Sequence, residues 1–548
     1  MRPAAGRLHY GVLAALLAVG TVIRVVQFLY RPSLSVDEAM LALSIGSRSY
    51  GGLLRRLDYG QTAPVLFLWA TRFVTRLGGV NEFTLRALPL AAGLAFPVVV
   101  WRLAGRLLDG PAALWCAALA ACSPVLVRFS IIAKPYESDA LVAAALIACA
   151  LETMAMPDSA TRWRWLLGGG VGGLALSAPA IFTLAGIVVS LALAPSVRGT
   201  SGARSWLTIA AVVWGAAFAA FYFGLYRPVA TSAFMQQFWA ATFLGLDTPG
   251  FSARLWRALH SEIFPILVGT PIPVISTVAF SVLAGAGLFS LRRLGQGWKL
   301  ILAAAPVGAA VMASALHRYP MATRTLLFTT PLLIVVLVAG LRWVVGLLPR
   351  PVATWGFRIV GGGWVATAAV IAVTKPEYAP DARRLVREFE LGRGADDPVY
   401  VFAGAPTWTF YTTDWAAPDT GRLRQLADAS DASQPLLAAP RDDLAIPYQG
   451  RCEIIGDPTG MQIRYWTGLT ASQPYSGWAE HEAARIHAES RTDVWLFFEA
   501  YFREDVVREL LRALERVGAR RVQASDTWGA RLYRYRLDGR RGESVCAR

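Results

Sequence analysis

Apolar residues in this chain come in long runs separated by short polar punctuation. A helix needs roughly 17–25 mainly apolar residues to cross a bilayer. Such runs fall at roughly 9–30, 83–105, 111–131, 139–156, 164–178, 180–195, 206–226, 262–290, 299–316, 324–346 and 354–373, which predicts about 11 spans. The two segments beside "SAPA", Ser177 to Ala180, are short for full crossings and predict broken or tilted helices. A weaker segment, 62–78, carries Arg72 and Arg76 and reads as interfacial or re-entrant. After Lys375 the pattern changes. Short β-rich runs such as "PVYVFAGA" and "DVWLFFEAY" alternate with a helical stretch, Glu504 to Val517, and "ARLYRYRL" reads as a final strand. The expected fold is mainly α: a polytopic transmembrane helical bundle over 1–374, then a soluble α/β domain over 375–548.

Composition agrees. The chain has 548 residues and is 55% hydrophobic, with mean hydropathy +0.44. The first apolar run lacks a small-residue cleavage site after it and reads as an uncleaved helix. Net charge is +16, unevenly spread. The first 374 residues carry 29 basic and 11 acidic side chains, or +18, and the rest carry 24 and 26, or −2. The surplus fits cytoplasmic loops and an anionic lipid ligand better than nucleic acid. Loops with Arg102/Arg106, Arg162/Arg164, Arg198/Arg204, Arg292/Arg293/Lys299 and Arg350/Arg358 share one side only if 62–78 does not cross. That topology puts the N-terminus inside and the tail outside. The alternative has 62–78 crossing and another short segment not crossing. Cys116, Cys122 and Cys149 lie in apolar segments as small core residues. Cys452 and Cys546 in the tail either bridge or stay free, and no zinc spacing is present.

Candidate chemistry lies in the outer loops of the first topology, 31–82, 132–138, 227–261 and 317–323. Of the 11 acids before Lys375, four form two close pairs, Asp37/Glu38 in "VDEA" and Glu137/Asp139 in "KPYESDA". An ionised group at the membrane edge is hydrated, paired or used. A carboxylate pair serves as a general base or holds a divalent cation, and spacing does not choose between them. Glu137 and Asp139 also suit the first turn of the helix they open. Fixed positive charge is available from Arg55, Arg56, Lys134, His317, Arg318 and Arg324. The densest stretch, "LHRYPMATRTLLF", reads as an interfacial anchor through Arg318 and Tyr319, or as a clamp on a lipid phosphate.

These segments resemble the GT-C glycosyltransferases, specifically the protein O-mannosyltransferases and aminoarabinose transferases. "SVDEA" after the first helix is similar to that family's acidic pair in its first external loop. "GQTAPVLFLWATRFVTRLGGVNEFTLRALP" is similar to its proline-containing segment followed by Gly-Val-x-Glu-x-x-x-Arg. "RFSIIAKPYESDAL" is similar to its Arg-x-x-Arg-Pro-Asp/Tyr segment, and "HRYPMATRTLLFTTPLLIVVLVAGL" to a late Arg-Tyr helix. The likeness covers most of residues 1–346. It implies a cell-membrane enzyme that takes a sugar from a polyprenyl-phosphate donor and passes it, with inversion, to an extracytoplasmic glycan, lipid or protein hydroxyl. Asp37 then becomes the base and Glu38 the group that orients it or the acceptor. Lys134, Tyr136, Glu137, Asp139 and the basic residues above fall to substrate binding. Two positions depart from the pattern. Lys134-Pro135-Tyr136 replaces Arg-Pro-Asp, with Glu137 or Asp139 as substitutes for the missing Asp, and Thr62-Ala63 replaces His-Pro. The competing function is a transporter or flippase of a lipid or small solute. That function calls for charge near the midplane and duplicated halves, whereas the acids here cluster at helix mouths.

Overall fold

The computed structural model describes residues 3–246, 250–269, 273–293, 297–375, 381–394, 397–402, 404–429, 444–448, 451–455, 477–489, 493–499 and 504–537. Among these, eight helices are long and apolar enough to cross a membrane. They are Tyr10–Leu29, Glu82–Leu107, Tyr136–Ala155, Ser201–Ala230, Val274–Arg293, Gly297–Ala315, Leu327–Val345 and Arg350–Thr374. Three shorter helices, Gly110–Cys122, Ala160–Leu176 and Ala180–Leu193, stand at the other expected spans. The last two meet at Ser177–Pro179, where proline ends one helix and starts the next.

Two boundaries differ from expectation. The run at 111–131 is split at Ser123, which ends one helix and caps the next, Pro124–Phe129. The span expected at 262–290 begins only at Val274. Its first residues instead form a π-turn, Ala258–Ile263, and a 3-10 turn, Phe264–Leu267. Pro265 and Pro273 explain the break, since neither has an N–H for the helical ladder. Ser123 Oγ donates to the Ile266 carbonyl at 2.6 Å and ties this buried turn to the bundle.

The 62–78 segment forms a helix only at Val65–Gly78. Its 14 residues rise roughly 21 Å, short of the bilayer core in the same way as Gly110–Cys122 and Ala180–Leu193. It buries Phe67, Leu68, Thr71 and Thr75 and exposes Leu66, Phe73 and Leu77. Elsewhere small residues let helices touch through their backbones. A Cβ on Gly287 would lie 2.0 Å from the Val336 carbonyl oxygen, and one on Gly340 1.9 Å from that of Leu283. This close approach is how apolar helices gain contact where lipid offers no hydrophobic drive. Cys116 and Cys122 are buried in the bundle and Cys149 is half-buried. The Cys452 side chain and Cys546 lie outside the described residues.

Among the described residues the tail carries a six-stranded sheet ordered β2-β3-β1-β4-β6-β5. The strands are β1 (Pro398–Phe402), β2 (Leu444–Tyr448), β3 (Arg451–Ile455), β4 (Asp493–Glu499), β5 (Arg520–Thr527) and β6 (Ala530–Arg536). β3, β1 and β4 run parallel, with antiparallel β2 and the β5–β6 hairpin outside them. Every residue of β1 and β4 is buried, as expected for parallel strands covered on both faces. Alternate side chains serve opposite faces. Tyr400, Phe402, Leu496 and Phe498 pack under helices Trp478–Glu489 and Glu504–Arg516. Val399, Val401, Trp495 and Phe497 pack under helices Ala382–Gly392 and Ala405–Thr412. The second pair also faces the transmembrane part, where Ala405–Thr412 packs on helix Val36–Ser47.

Candidate active site

The local sequence Ser-Val-Asp-Glu builds the first part of the site. Ser35 caps helix Val36–Ser47 in a capping box with Glu38. Glu38 is buried and its oxygens are fully engaged. They accept from Arg86 Nε and Nη2 at 2.9 and 3.1 Å, Ser35 N at 3.0 Å, Ser35 Oγ at 3.1 Å and Ala133 N at 2.8 Å. Glu38 therefore ties three loops together and has no oxygen left to orient an acceptor. Asp37, one residue earlier, is turned about 100° around the helix and meets different partners. Its Oδ1 lies 3.1 Å from Lys134 Nζ and its Oδ2 3.2 Å from Arg324 Nη1.

Each partner is held in turn. Lys134 Nζ also donates to Gln61 Oε1 at 2.6 Å. Arg324 sits on a 3-10 turn, Thr323–Thr325, fixed by Glu262, which accepts from Thr323 N and Oγ1 at 2.6 and 2.7 Å. Its guanidinium lies 4.6 Å over the Trp239 ring. Burial pushes the Asp37 carboxyl up, but the charges of Lys134 and Arg324 outweigh it and hold the group below the usual carboxylate value. Burial lowers Lys134, and Asp37 only partly offsets this.

Two cavities meet this group through Arg324, which lines the first, and its stacking partner Trp239, which lines the second. A polar one of about 420 Å³ is lined by Arg128, His260, Glu262, Thr323 and Arg324. An apolar one of about 370 Å³ is lined by aromatic side chains, among them Phe182, Phe218, Tyr222, Tyr226 and Trp239, with Arg318 as the charged member. A π-turn at Tyr222–Tyr226 contributes two of these rings, a local irregularity frequent at functional sites.

The other expected residues divide. Tyr319 lines the apolar cavity, donates its hydroxyl to the Thr325 carbonyl at 2.6 Å, and so supports the turn that carries Arg324. Burial raises its phenol well above the usual value. Tyr136 packs edge-on against Phe129. His317 has a left-handed backbone (φ 54°) and sets its ring edge-on to Phe243. Arg55 and Arg56 are exposed on the turn before Leu57 and line neither cavity. Glu137 and Asp139 stand in the first turn of the helix that opens at Tyr136, as expected, but not as a solvated pair. The helix opening at Tyr136 turns both inward, where they are buried. Glu137 lies near Arg24 around Gly93, where a Cβ would come 3.4 Å from its Oε1 and 3.1 Å from Arg24 Nε. The unforeseen contributors are Gln61, Arg86, Arg128, Trp239, His260 and Glu262. Arg86 was visible as the last residue of the Gly-Val-x-Glu-x-x-x-Arg pattern; the others carried no such signal.

A divalent cation does not suit Asp37, since two cationic side chains already occupy its oxygens and Glu38 points away. Among the described residues no three His, Cys, Asp or Glu side chains cluster as a metal site.

The chain folds as a bundle of apolar helices with eight of membrane-spanning length among the described residues, and comparison with known proteins adds a partial family match and a shared fold. Residues 62–221 match the model of the dolichyl-phosphate-mannose-protein mannosyltransferase family. No curated protein sequence matches the chain. Among solved structures, the fold is similar to ArnT from Cupriavidus metallidurans in the apo state (13% identity, TM-score 0.54, 96% of this chain and 98% of that one). It is also similar to ArnT bound to undecaprenyl phosphate (14%, 0.52, 96% and 98%). The Archaeoglobus fulgidus oligosaccharyltransferase in complex with Zn and sulfate shares it too (14%, 0.52, 95% and 72%). The chain is thus similar to the protein mannosyltransferases over residues 62–221 and to ArnT in fold.

Proposed function

We propose that this enzyme transfers a sugar from a polyprenyl-phosphate donor to an extracytoplasmic hydroxyl of a glycan, lipid or protein, with inversion, and that Asp37 is the base. The observation that carries this reading is the placement of Asp37 between Lys134 and Arg324, where Arg324 lines a polar cavity and stacks on Trp239 of an apolar one. The aromatic cavity suits the first isoprenoid units of the donor, and Arg318 and Arg324 suit its phosphate. The polar cavity suits a hydroxylated acceptor. Undecaprenyl phosphate bound to the similarly folded ArnT supports the donor class.

In the reaction the acceptor O–H gives its proton to an Asp37 oxygen. The acceptor oxygen attacks the anomeric carbon from the side opposite the phosphate. The carbon–oxygen bond to phosphate breaks, and its electron pair leaves with the polyprenyl phosphate. Lys134 and Arg324 stabilise that growing charge. As they turn toward phosphate they loosen from Asp37, whose proton affinity rises when a base is needed.

The site faces the outer compartment of a cell membrane, and the tail lies on that side. The five basic loops assigned to the opposite side support this. A reporter fused after Thr374 is expected to be active only outside, and activity only in the cytoplasm would overturn the topology. The chemical test assays a panel of radiolabelled polyprenyl-phosphate sugars against a membrane lipid and protein extract. A positioned base contributes about 10²–10⁴-fold, so Asp37→Asn should lose that much turnover while inserting normally. Wild-type turnover in Asp37→Asn would exclude Asp37 as base.

A further inference from the structure

The segment between the first helix and Asp37 has no regular structure, yet its backbone is held at nearly every residue. Arg31 adopts a left-handed conformation (φ 53°), which is strained for a non-glycine residue. Its side chain donates to Glu82 Oε2 at 3.0 and 2.8 Å. Its carbonyl accepts from Arg383 Nη2 at 2.9 Å. The Pro32 and Ser33 carbonyls accept from Arg86 at 2.6 and 3.1 Å. Ser33 Oγ donates to Asp381 Oδ1 at 3.0 Å and accepts from Arg383 N at 3.3 Å. The Leu34 N–H donates to the Tyr411 hydroxyl at 2.7 Å. Ser35 then begins the capping box.

Asp381, Arg383 and Tyr411 all belong to the tail. Arg383 and Tyr411 converge on one buried carboxylate, Glu82, whose Oε1 lies 2.7 Å from Arg383 Nη1 and accepts from the Tyr411 hydroxyl at 2.9 Å. Tyr411 therefore bridges Glu82 to the Leu34 amide, three residues before Asp37. The contact continues along the helix that bears Asp37. A Cβ on Gly46 would lie 2.3 Å from the Trp415 ring, so the tail sits directly on that helix. A loose fusion would need none of this, and docking alone does not explain why the bonds fall on the backbone of 31–35. Strain held by neighbours beside a reactive group is characteristic of functional sites.

We propose that Glu82, Arg383 and Tyr411 form a positioning unit through which the tail fixes segment 31–35 and thereby the place of Asp37. The inference rests on the reading of Asp37 as base. None of the three residues touches the proposed reacting atoms; they act through the backbone leading to Asp37. Tyr411→Phe keeps the ring and removes only the bridging hydroxyl. A misplacement of about 1 Å away from the chemistry can cost around 10²-fold, so kcat on the radiolabelled polyprenyl-phosphate sugars should fall by about 10-fold or more, with donor KM unchanged. Hydrogen–deuterium exchange in the full-length protein should accelerate in the peptide covering 31–38, with Tm nearly unchanged. Arg383→Gln should behave likewise, and Arg383→Lys should recover part of the rate. Unchanged kcat and exchange in Tyr411→Phe, or a kcat loss that only tracks the folded fraction, would overturn the positioning role. The two readings fail separately: an active Asp37→Asn removes the base, whereas a dead Asp37→Asn beside a fully active Tyr411→Phe removes only the positioning unit.

Discussion

Lys134→Met separates the electrostatic work of the site from its packing. Methionine keeps the length and apolar stem of lysine and removes the ammonium. At 3.1 Å, a Lys–Asp pair in an effective dielectric near 20 has a gross attraction of about 5 kcal/mol. Most of this is offset by the several kcal/mol that burying an ammonium costs. Arg324 remains on Asp37 in the variant, so the carboxylate is not orphaned. The net stability change should therefore stay below about 2 kcal/mol, read as a small Tm shift in detergent. Catalysis should respond far more. The leaving phosphate loses a charge partner, and losing one such donor typically costs about 10²–10³-fold. Asp37 also loses the first of the two charges that hold its carboxyl low, so the acid limb of kcat/KM should move to higher pH. Lys134→Arg should restore most of the rate, since it keeps the charge. The assay is kcat/KM across pH on the polyprenyl-phosphate sugar that gives turnover. Activity close to wild type in Lys134→Met, with an unmoved acid limb, would refute the argument.

Other outcomes follow from the same geometry. Glu38→Gln removes the main counter-charge of buried Arg86 and should lose up to about 3–5 kcal/mol of stability, measured by thermal unfolding; a stable variant that loses only activity would return Glu38 to the chemistry. Arg318→Ala should raise donor KM, because Arg318 is the charged residue of the aromatic cavity, and a change confined to Tm would make it an interfacial anchor instead. The Asp37 pair should contribute stability above the unfolded carboxyl value of about 3.9 and lose it as pH falls through the lower folded value. Asp37→Asn should flatten that acid dependence, and an unaltered acid-unfolding profile would contradict the pairing.

Eight spans were legible because a bilayer-length apolar run is a signal of composition, insensitive to what packs against it. The same holds for β1, β4 and β6, whose buried runs stand out from a charged tail. β5, "RRVQASDT", is an exposed edge strand whose charges resist pairing with other chains and remove the apolar alternation by which a strand is read. In the site, the residue types at the outer loops singled out Asp37, Lys134 and Arg324, but not their meeting. The ion pairs join positions 97 and 287 residues apart, and nothing local encodes such a distance. Adjacent Asp37 and Glu38 looked alike until the helix set them about 100° apart. The capping pattern in "SVDE" was a local clue that Glu38 is engaged by its own backbone. Glu82 needed both halves of the chain. Its partner Arg31 lies 51 residues before it, and Arg383 and Tyr411 are 301 and 329 residues away. A carboxylate closed by such distant partners reads from sequence as one more acid at a helix start, and only the folded tail shows that it holds the backbone leading to Asp37.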